Sequence, residues 1–193
     1  GTRVIDVLDM ASGMDIIENQ AGRENPRSVI TRYNLAASGE KNADGEKENL
    51  FELIRSAKRR GPAGKAFEYS SINTTLLALL PETVENKRWS DIYQERVWSK
   101  MTVEGDLQVS IAPDSTPLPH GLVASRLRDM ARYGMLYTPS WHKAARERIV
   151  SQAYVRQIQA GGRKEIFLKC EIGNHLTTAF FPASPPSANH WQW

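Results

Sequence analysis

The sequence predicts a mainly α fold with a small β part. Apolar residues recur at i, i+3 and i+4 along most of the chain up to residue 160, the spacing of helices with one buried stripe. Only at residues 165–172 does the period shorten to strict alternation, as in a strand. Helical and strand patterns do not alternate, which disfavours a doubly wound parallel sheet. At 193 residues the chain suits one domain, or one domain with part of another. We place a helical unit over residues 1–162 and a partial β-strand segment over 163–193.

Taken in order, residues 3–12 predict a helix striped by Val4, Val7, Leu8 and Ala11 and stopped by Gly13. Residues 19–49 are polar, and 37–45 read as loop from their Gly, Asn and Asp content. Residues 47–60 predict a helix with Leu50, Phe51, Ile54 and Ala57 on one face and Gly61-Pro62 as its stop. Leu76, Leu77, Leu79 and Leu80 predict a helix buried on most sides, ended or kinked by Pro81. Trp89, Ile92, Tyr93, Val97 and Met101 stripe a further helix over 89–101. Three prolines make 105–121 an irregular crossing segment. Ser125 is the expected N-cap of a helix through Tyr137, packed by Leu127, Met130, Ala131 and Met135. Residues 145–160 predict the last helix, closed by Gly161-Gly162. A strand over 166–172 then pairs with 175–181 as a hairpin, and Trp191-Gln192-Trp193 begins another strand.

Composition narrows the function. The chain is 40% hydrophobic and 24% charged, so it has enough apolar material for a packed core. Net charge is only +3, and the densest basic run, Lys58-Arg59-Arg60, closes a predicted helix where positive charge is favourable. Nucleic acid is therefore not an expected partner. No apolar run approaches the roughly 20 residues of a membrane span. A single cysteine, Cys170, excludes an internal disulfide framework but fixes no compartment, and no signal peptide precedes Val4, so the localisation is open. His120, His142, His175 and His190 lack a metal-ligand spacing and read as surface or loop histidines, so neither metal nor cofactor is expected. No Gly-x-Ser-x-Gly elbow and no phosphate-binding glycine loop is present.

The chemistry concentrates in Phe67-Glu68-Tyr69-Ser70-Ser71-Ile72-Asn73-Thr74-Thr75-Leu76-Leu77. From the residues alone this is a core tyrosine followed by an N-cap serine. The segment resembles the Tyr-x-Asn region of class C β-lactamases, penicillin-binding proteins and related esterases, which also leads into a leucine-rich helix. Further stretches resemble the same family in the same order. The stretch Val4-Ile5-Asp6-Val7-Leu8-Asp9-Met10-Ala11-Ser12-Gly13-Met14 resembles its Ser-Gly element. Residues 122–137 resemble its Arg-Asp-Leu-Ala helix, Ile149-Val150-Ser151 and the helix that follows resemble the stretch after it, and Trp191-Gln192-Trp193 resembles its Gln-Trp-Trp strand. The resemblance implies the helical domain of the β-lactamase/transpeptidase-like α+β fold, with the central sheet largely missing.

It also implies a mechanism. A serine in a Ser-x-x-Lys helix attacks a small acyl substrate and forms an acyl-enzyme. Two backbone N–H groups hold the oxyanion, and a lysine and the motif tyrosine move protons. By carry-over Tyr69 is the catalytic proton-transfer residue and Ser71 a substrate-binding residue, standing where the family has asparagine. A serine lacks the amide's paired donor and acceptor and reaches less far. Asn73, two positions on, is displaced around the helix and is not an expected substitute. The family's Ser-x-x-Lys precedes its Ser-Gly element, where this chain begins, and its third motif follows the Gln-Trp-Trp strand, where this chain ends. Ser38-Gly39-Glu40-Lys41 matches Ser-x-x-Lys by spacing, but it lies in the predicted loop and in the wrong order. The expectation is a truncated serine hydrolase, inactive alone. The alternative is a non-catalytic binding or assembly module, whose uncovered apolar helix faces would favour a homo-oligomer or a complementing chain.

Overall fold

A computed structural model describes residues 1–161 and 163–167. The described residues are mostly helical, and a two-stranded sheet is the one sheet among them. Helix α1 (Val4–Leu8) starts where the Asp6 carboxylate accepts the Arg3 N–H at 3.0 Å. The sequence predicts a helix to residue 12, but it ends at Leu8 because Met10 takes a left-handed φ of 53°. That turn brings residues 10–15 alongside 58–68.

The polar stretch 19–49, in which the sequence analysis places no helix before residue 47, holds two. Helix α2 (Gln20–Glu24) is capped by the Asn19 side chain, which accepts the Gly22 N–H at 2.9 Å. Helix α3 (Val29–Ser38) is capped by Ser28, whose Oγ accepts the Thr31 N–H at 3.1 Å. Gly39 ends α3 in the left-handed region, φ 73°, and the next N–H, of Glu40, closes back on Leu35 O at 2.8 Å. The apolar face of α3 is thin, one residue per turn: Ile30, Tyr33 and Ala36. The polar residues on either side of it hide it, yet all three side chains are buried.

Helix α4 (Leu50–Ser56) is shorter at both ends than predicted. Asn49 caps it by accepting the Glu52 N–H at 2.9 Å. Residues 58–60 leave the helix to bond the other chain segment, with Asp15 N–H on Lys58 O at 2.8 Å and Arg60 N–H on Gly13 O at 2.9 Å. Phe51, predicted inward, is 40% exposed, and Leu53 takes the inner place.

Helix α5 (Ser71–Glu85) runs through Pro81 to a left-handed Asn86. Its buried side is not the leucine run alone. Ile72, Asn73, Thr75, Ala78 and Leu79 are buried, while Leu80 is 40% exposed. Ile72 and Leu79 join Ile16, Ile30, Tyr33, Leu50, Ile54 and Leu118 in the main core.

Helix α6 (Trp89–Arg96) passes into a 3₁₀ turn over Trp98–Lys100. Strand β1 (Gln108–Val109) pairs antiparallel with β2 (Val123–Ala124), so the small sheet lies mid-chain within and just after the predicted crossing segment. Helix α7 (Leu127–Met135) corrects the sequence twice. Its N-cap is Arg126, not Ser125. The expected packing residues Leu127 and Met130 are 82% and 55% exposed, and Asp129 is the buried one. The Asp129 carboxylate accepts the N–H groups of Glu104 (2.9 Å) and Gly105 (3.1 Å) and pairs with Arg132, and this anchor turns the carboxylate side of α7 inward.

Helix α8 (Gln152–Gln159) is capped by Ser151 Oγ, which accepts the Tyr154 N–H at 3.1 Å. Residues 145–150 are not helical as predicted, because Ala145 is drawn into a bridge with Met101. The predicted strand over 166–172 is also corrected where it is described: residues 166 and 167 belong to a short helix, α9 (Lys164–Phe167). The rest of that strand, the 175–181 hairpin and the 191–193 strand lie outside the described residues. No described helix is long and apolar enough to cross a membrane.

Candidate active site

Tyr69 sits on an extended segment that enters α5 from below the Met10 turn. Neighbours fix that segment on both sides. On one, Gly64 N–H donates to Ala11 O (2.8 Å) and Glu68 N–H to Met10 O (2.6 Å). On the other, Phe67 N–H donates to Ile166 O at 3.2 Å. Met10, Ala11, Phe67 and Ile166 form a small buried cluster, and the half-buried Tyr69 ring packs against it. Arg60 pairs with Glu68 at the outer edge.

Ser70 and Ser71 have local duties. Ser70 is the N-cap of α5, its Oγ accepting the Ile72 N–H at 3.3 Å. Ser71, the expected substrate-binding residue, is 9% exposed, and its N–H donates to Glu18 Oε2 at 2.6 Å. Glu18 is itself nearly buried and also pairs with Arg23. A carboxylate at a helix N-terminus is held by the orphan N–H groups and the dipole. Nothing in the sequence flags Glu18, which meets Ser71 from 53 residues away.

Asn73 is 1% exposed and faces the turn after α1, where its Nδ2 donates to Met10 Sδ at 3.4 Å. Its Oδ1 has no hydrogen-bond partner among the described residues. Tyr69 and Asn73 thus share the Met10 turn, while Ser71 is tied to Glu18.

The opposite side of α5 carries a buried polar triangle. Tyr33 Oη and Thr75 Oγ1 are 2.7 Å apart, and His120 Nδ1 lies 3.1 Å from the first and 3.2 Å from the second. Burial pushes the Tyr33 phenol well above its ordinary value. Burial also lowers the His120 pKa, with Glu18 pulling weakly the other way. A neutral ring with its proton on Nε2 satisfies both hydroxyls: Thr75 donates to Tyr33, and Tyr33 donates to Nδ1. His120 therefore lies in a turn, as the sequence suggests, but is half-buried and bonded to the core rather than free at the surface. It meets Tyr33 across 87 positions, which no local pattern reveals.

The Ser38-to-Lys41 spacing does not form a pair on one helix. Gly39 turns the chain, and Lys41 bridges to Lys47 in the following loop. A second match that the sequence analysis missed, Ser140-Trp141-His142-Lys143, lies on an exposed 3₁₀ turn after α7. No group of three or more His, Cys, Asp or Glu that could hold a metal ion occurs among the described residues.

Known proteins place this architecture. The family model described as Beta-lactamase matches residues 1–166. The chain belongs to the beta-lactamase family. A curated relative, 6-aminohexanoate-dimer hydrolase of Paenarthrobacter ureafaciens, is 28% identical over 165 residues, which cover 86% of this chain and 41% of that protein. A solved structure described as a putative 6-aminohexanoate-dimer hydrolase from Bacillus anthracis aligns with a TM-score of 0.61 at 21% identity, over 82% of this chain and 41% of that one. The chain therefore spans about two fifths of the length of each relative. The mostly helical fold with one small sheet corresponds to part of the beta-lactamase fold, as the sequence implies.

Proposed function

We propose that this chain carries the proton-transfer side of an acyl-enzyme serine hydrolase site, centred on Tyr69, and is inactive alone. The observation that carries the reading is the held, half-buried position of Tyr69. Its segment is bonded to the Met10 turn on one side and to Ile166 on the other, directly before the N-cap of α5. A fixed phenol within reach of a serine hydroxyl would take its proton during attack on an acyl carbonyl and return it to the leaving group. A free phenol has a pKa near 10, so the role needs a neighbouring ammonium to favour its anion. In this reading both the nucleophile and that ammonium come from the family's Ser-x-x-Lys helix.

The names of the relatives support a substrate class. A dimer of 6-aminohexanoate is a linear amide, and we infer that the whole enzyme cleaves an amide or ester of that small, flexible kind. Ser71 is kept as a substrate-side residue that acts through its position at the start of α5. In this reading residues 1–162 form the helical unit, and 163–193 begin the sheet-bearing part.

Incubation with a chromogenic cephalosporin, a short-chain nitrophenyl ester and a linear amide dimer tests this. The chain alone is expected to turn over none of them. A covalent adduct on one of its serines, or turnover abolished by Tyr69→Phe, contradicts inactivity.

One observation favours the alternative, a binding or assembly module. Leu127, Met130, Ile111 and Val84 are more than half exposed. Such apolar surface favours a homo-oligomer or a complementing chain. Light scattering that stays monomeric at high concentration speaks against it.

A further inference from the structure

We propose that Arg163 is a positioning residue for Tyr69: by bridging Asp6 and Asp9 it seats Ile166 against the tyrosine's segment and fixes the ring's place. The inference rests on the reading of Tyr69 as the proton-transfer group, but its geometry stands apart from any turnover.

Two carboxylates, Asp6 and Asp9, are 2% and 3% exposed on α1 and its C-cap. Buried charges persist only when paired and hydrogen-bonded. Arg163 supplies a fork of donors to both. Its Nε donates to Asp9 Oδ2 at 2.6 Å, its Nη1 to Asp6 Oδ1 at 2.8 Å, and its Nη2 to Ile5 O at 3.2 Å. Arg3 completes the Asp6 shell with Nε and Nη2 contacts at 3.2 and 3.1 Å. Those Arg3 bonds, ahead of the Arg163 bond, hold the Asp6 carboxyl well below the ordinary carboxylate range.

Room for the fork comes from Gly64. A Cβ there would lie 2.8 Å from Asp6 Oδ1 and 3.0 Å from Arg163 Nη1, and its φ of 72° also disfavours a side chain. Gly64 opens the segment that leads to Tyr69. The clamp and the tyrosine segment are thus built against each other.

Three residues after Arg163, Ile166 is 4% exposed and packs in the cluster that Tyr69 leans on. Its carbonyl takes the Phe67 N–H, two residues before the phenol. Among the described residues the Arg163 side chain bonds α1 and its C-cap, while its carbonyl accepts the Ile166 N–H at 3.0 Å, so the clamp anchors a short segment whose far end packs in the cluster beneath Tyr69. Four residues of helix, as in α9, hold no position unaided.

The whole chain labelled with 3-fluorotyrosine gives six ¹⁹F resonances, one for each tyrosine. Tyr69→Phe identifies the one of interest. In Arg163→Gln the Tyr69 resonance is expected to shift and its solvent-probe relaxation to rise severalfold, while the Tyr33 and Tyr93 signals stay in place. Ile166→Ala, which leaves every ion pair intact, should move the same resonance in the same direction. Arg163→Lys, charged but without the fork, should fall between wild type and Arg163→Gln. An unmoved Tyr69 signal in both the folded Arg163→Gln protein and Ile166→Ala overturns the proposal. Parallel displacement of all six signals in both variants also overturns it, because the clamp would then support the fold as a whole. Loss of the catalytic reading, by contrast, would leave every one of these shifts unchanged.

Discussion

Helices α5 and α7 solve the same problem in opposite ways. Helix α5 buries Ile72 and Leu79 together with the polar Asn73 and Thr75, and leaves Leu80 part-exposed. Helix α7 buries Asp129 and turns Leu127 and Met130 to the surface. The inward faces still carry apolar residues, Ile72 and Leu79 on α5 and Tyr133 and Met135 on α7, but the most apolar stretch of each helix does not alone decide which face turns inward. A fixed polar anchor decides with it: the Tyr33–Thr75–His120 triangle for α5, and the Asp129 carboxylate with its two backbone donors for α7. A buried polar group that is satisfied specifies orientation strongly, because every other orientation leaves it unpaired.

Substitutions sharpen the contrast. The largest expected loss is at Ile72, which is fully buried in the main core, where Ile72→Ala should cost about 3 kcal/mol of unfolding free energy in urea titration. Asp129→Asn should cost less than Ile72→Ala yet more than any surface change. It should also free the 104–105 loop, read as faster amide exchange at Glu104 and Gly105. Equal protection of those amides in the variant would mean that the carboxylate does not orient α7. Tyr33→Phe removes the shared hydroxyl of the triangle and should cost about 1.5 kcal/mol. The smallest effect is at Leu127, 82% exposed, where Leu127→Ala should stay within about 0.5 kcal/mol of wild type. A large loss there would place α7's apolar side in a contact that the single chain does not show.

The triangle also carries a pH dependence. The folded state depresses the His120 pKa, so the unfolded chain binds the proton more readily. Stability is then full above the unfolded value of about 6.5 and falls as the pH drops through the lower folded value. Glu48, Asp114 and Asp129 are depressed too, but their contributions are lost only at about pH 4.5 and below. Between pH 7.5 and 5.5 the urea midpoint should fall, and His120→Gln should flatten that slope.

Much of the fold was legible because helix signals are local. Striping and Gly stops announced most helices, though the pattern sets the start of α8 too early, at residue 145. Helices α2 and α3 escaped because their caps, Asn19 and Ser28, are clear but their apolar faces are thin. The orientation of α7 escaped because Asp129 finds its donors 24 and 25 residues upstream. At the site, the turn from Tyr69 into α5 was legible from its motif. Glu18, Arg163 and Ile166 were not, since Arg163 reaches its carboxylates across 154 and 157 positions and no period in the sequence spans such a gap.

Reconstitution tests the central claim most directly. The chain is mixed with a polypeptide that supplies the family's Ser-x-x-Lys helix and its third motif, and ester and amide hydrolysis are followed with Tyr69 and with Tyr69→Phe. Activity that appears on mixing and drops at least about 10²-fold in the variant, with an unchanged circular dichroism spectrum, is the predicted result. Activity that appears equally with phenylalanine at position 69 would contradict the role assigned to this tyrosine.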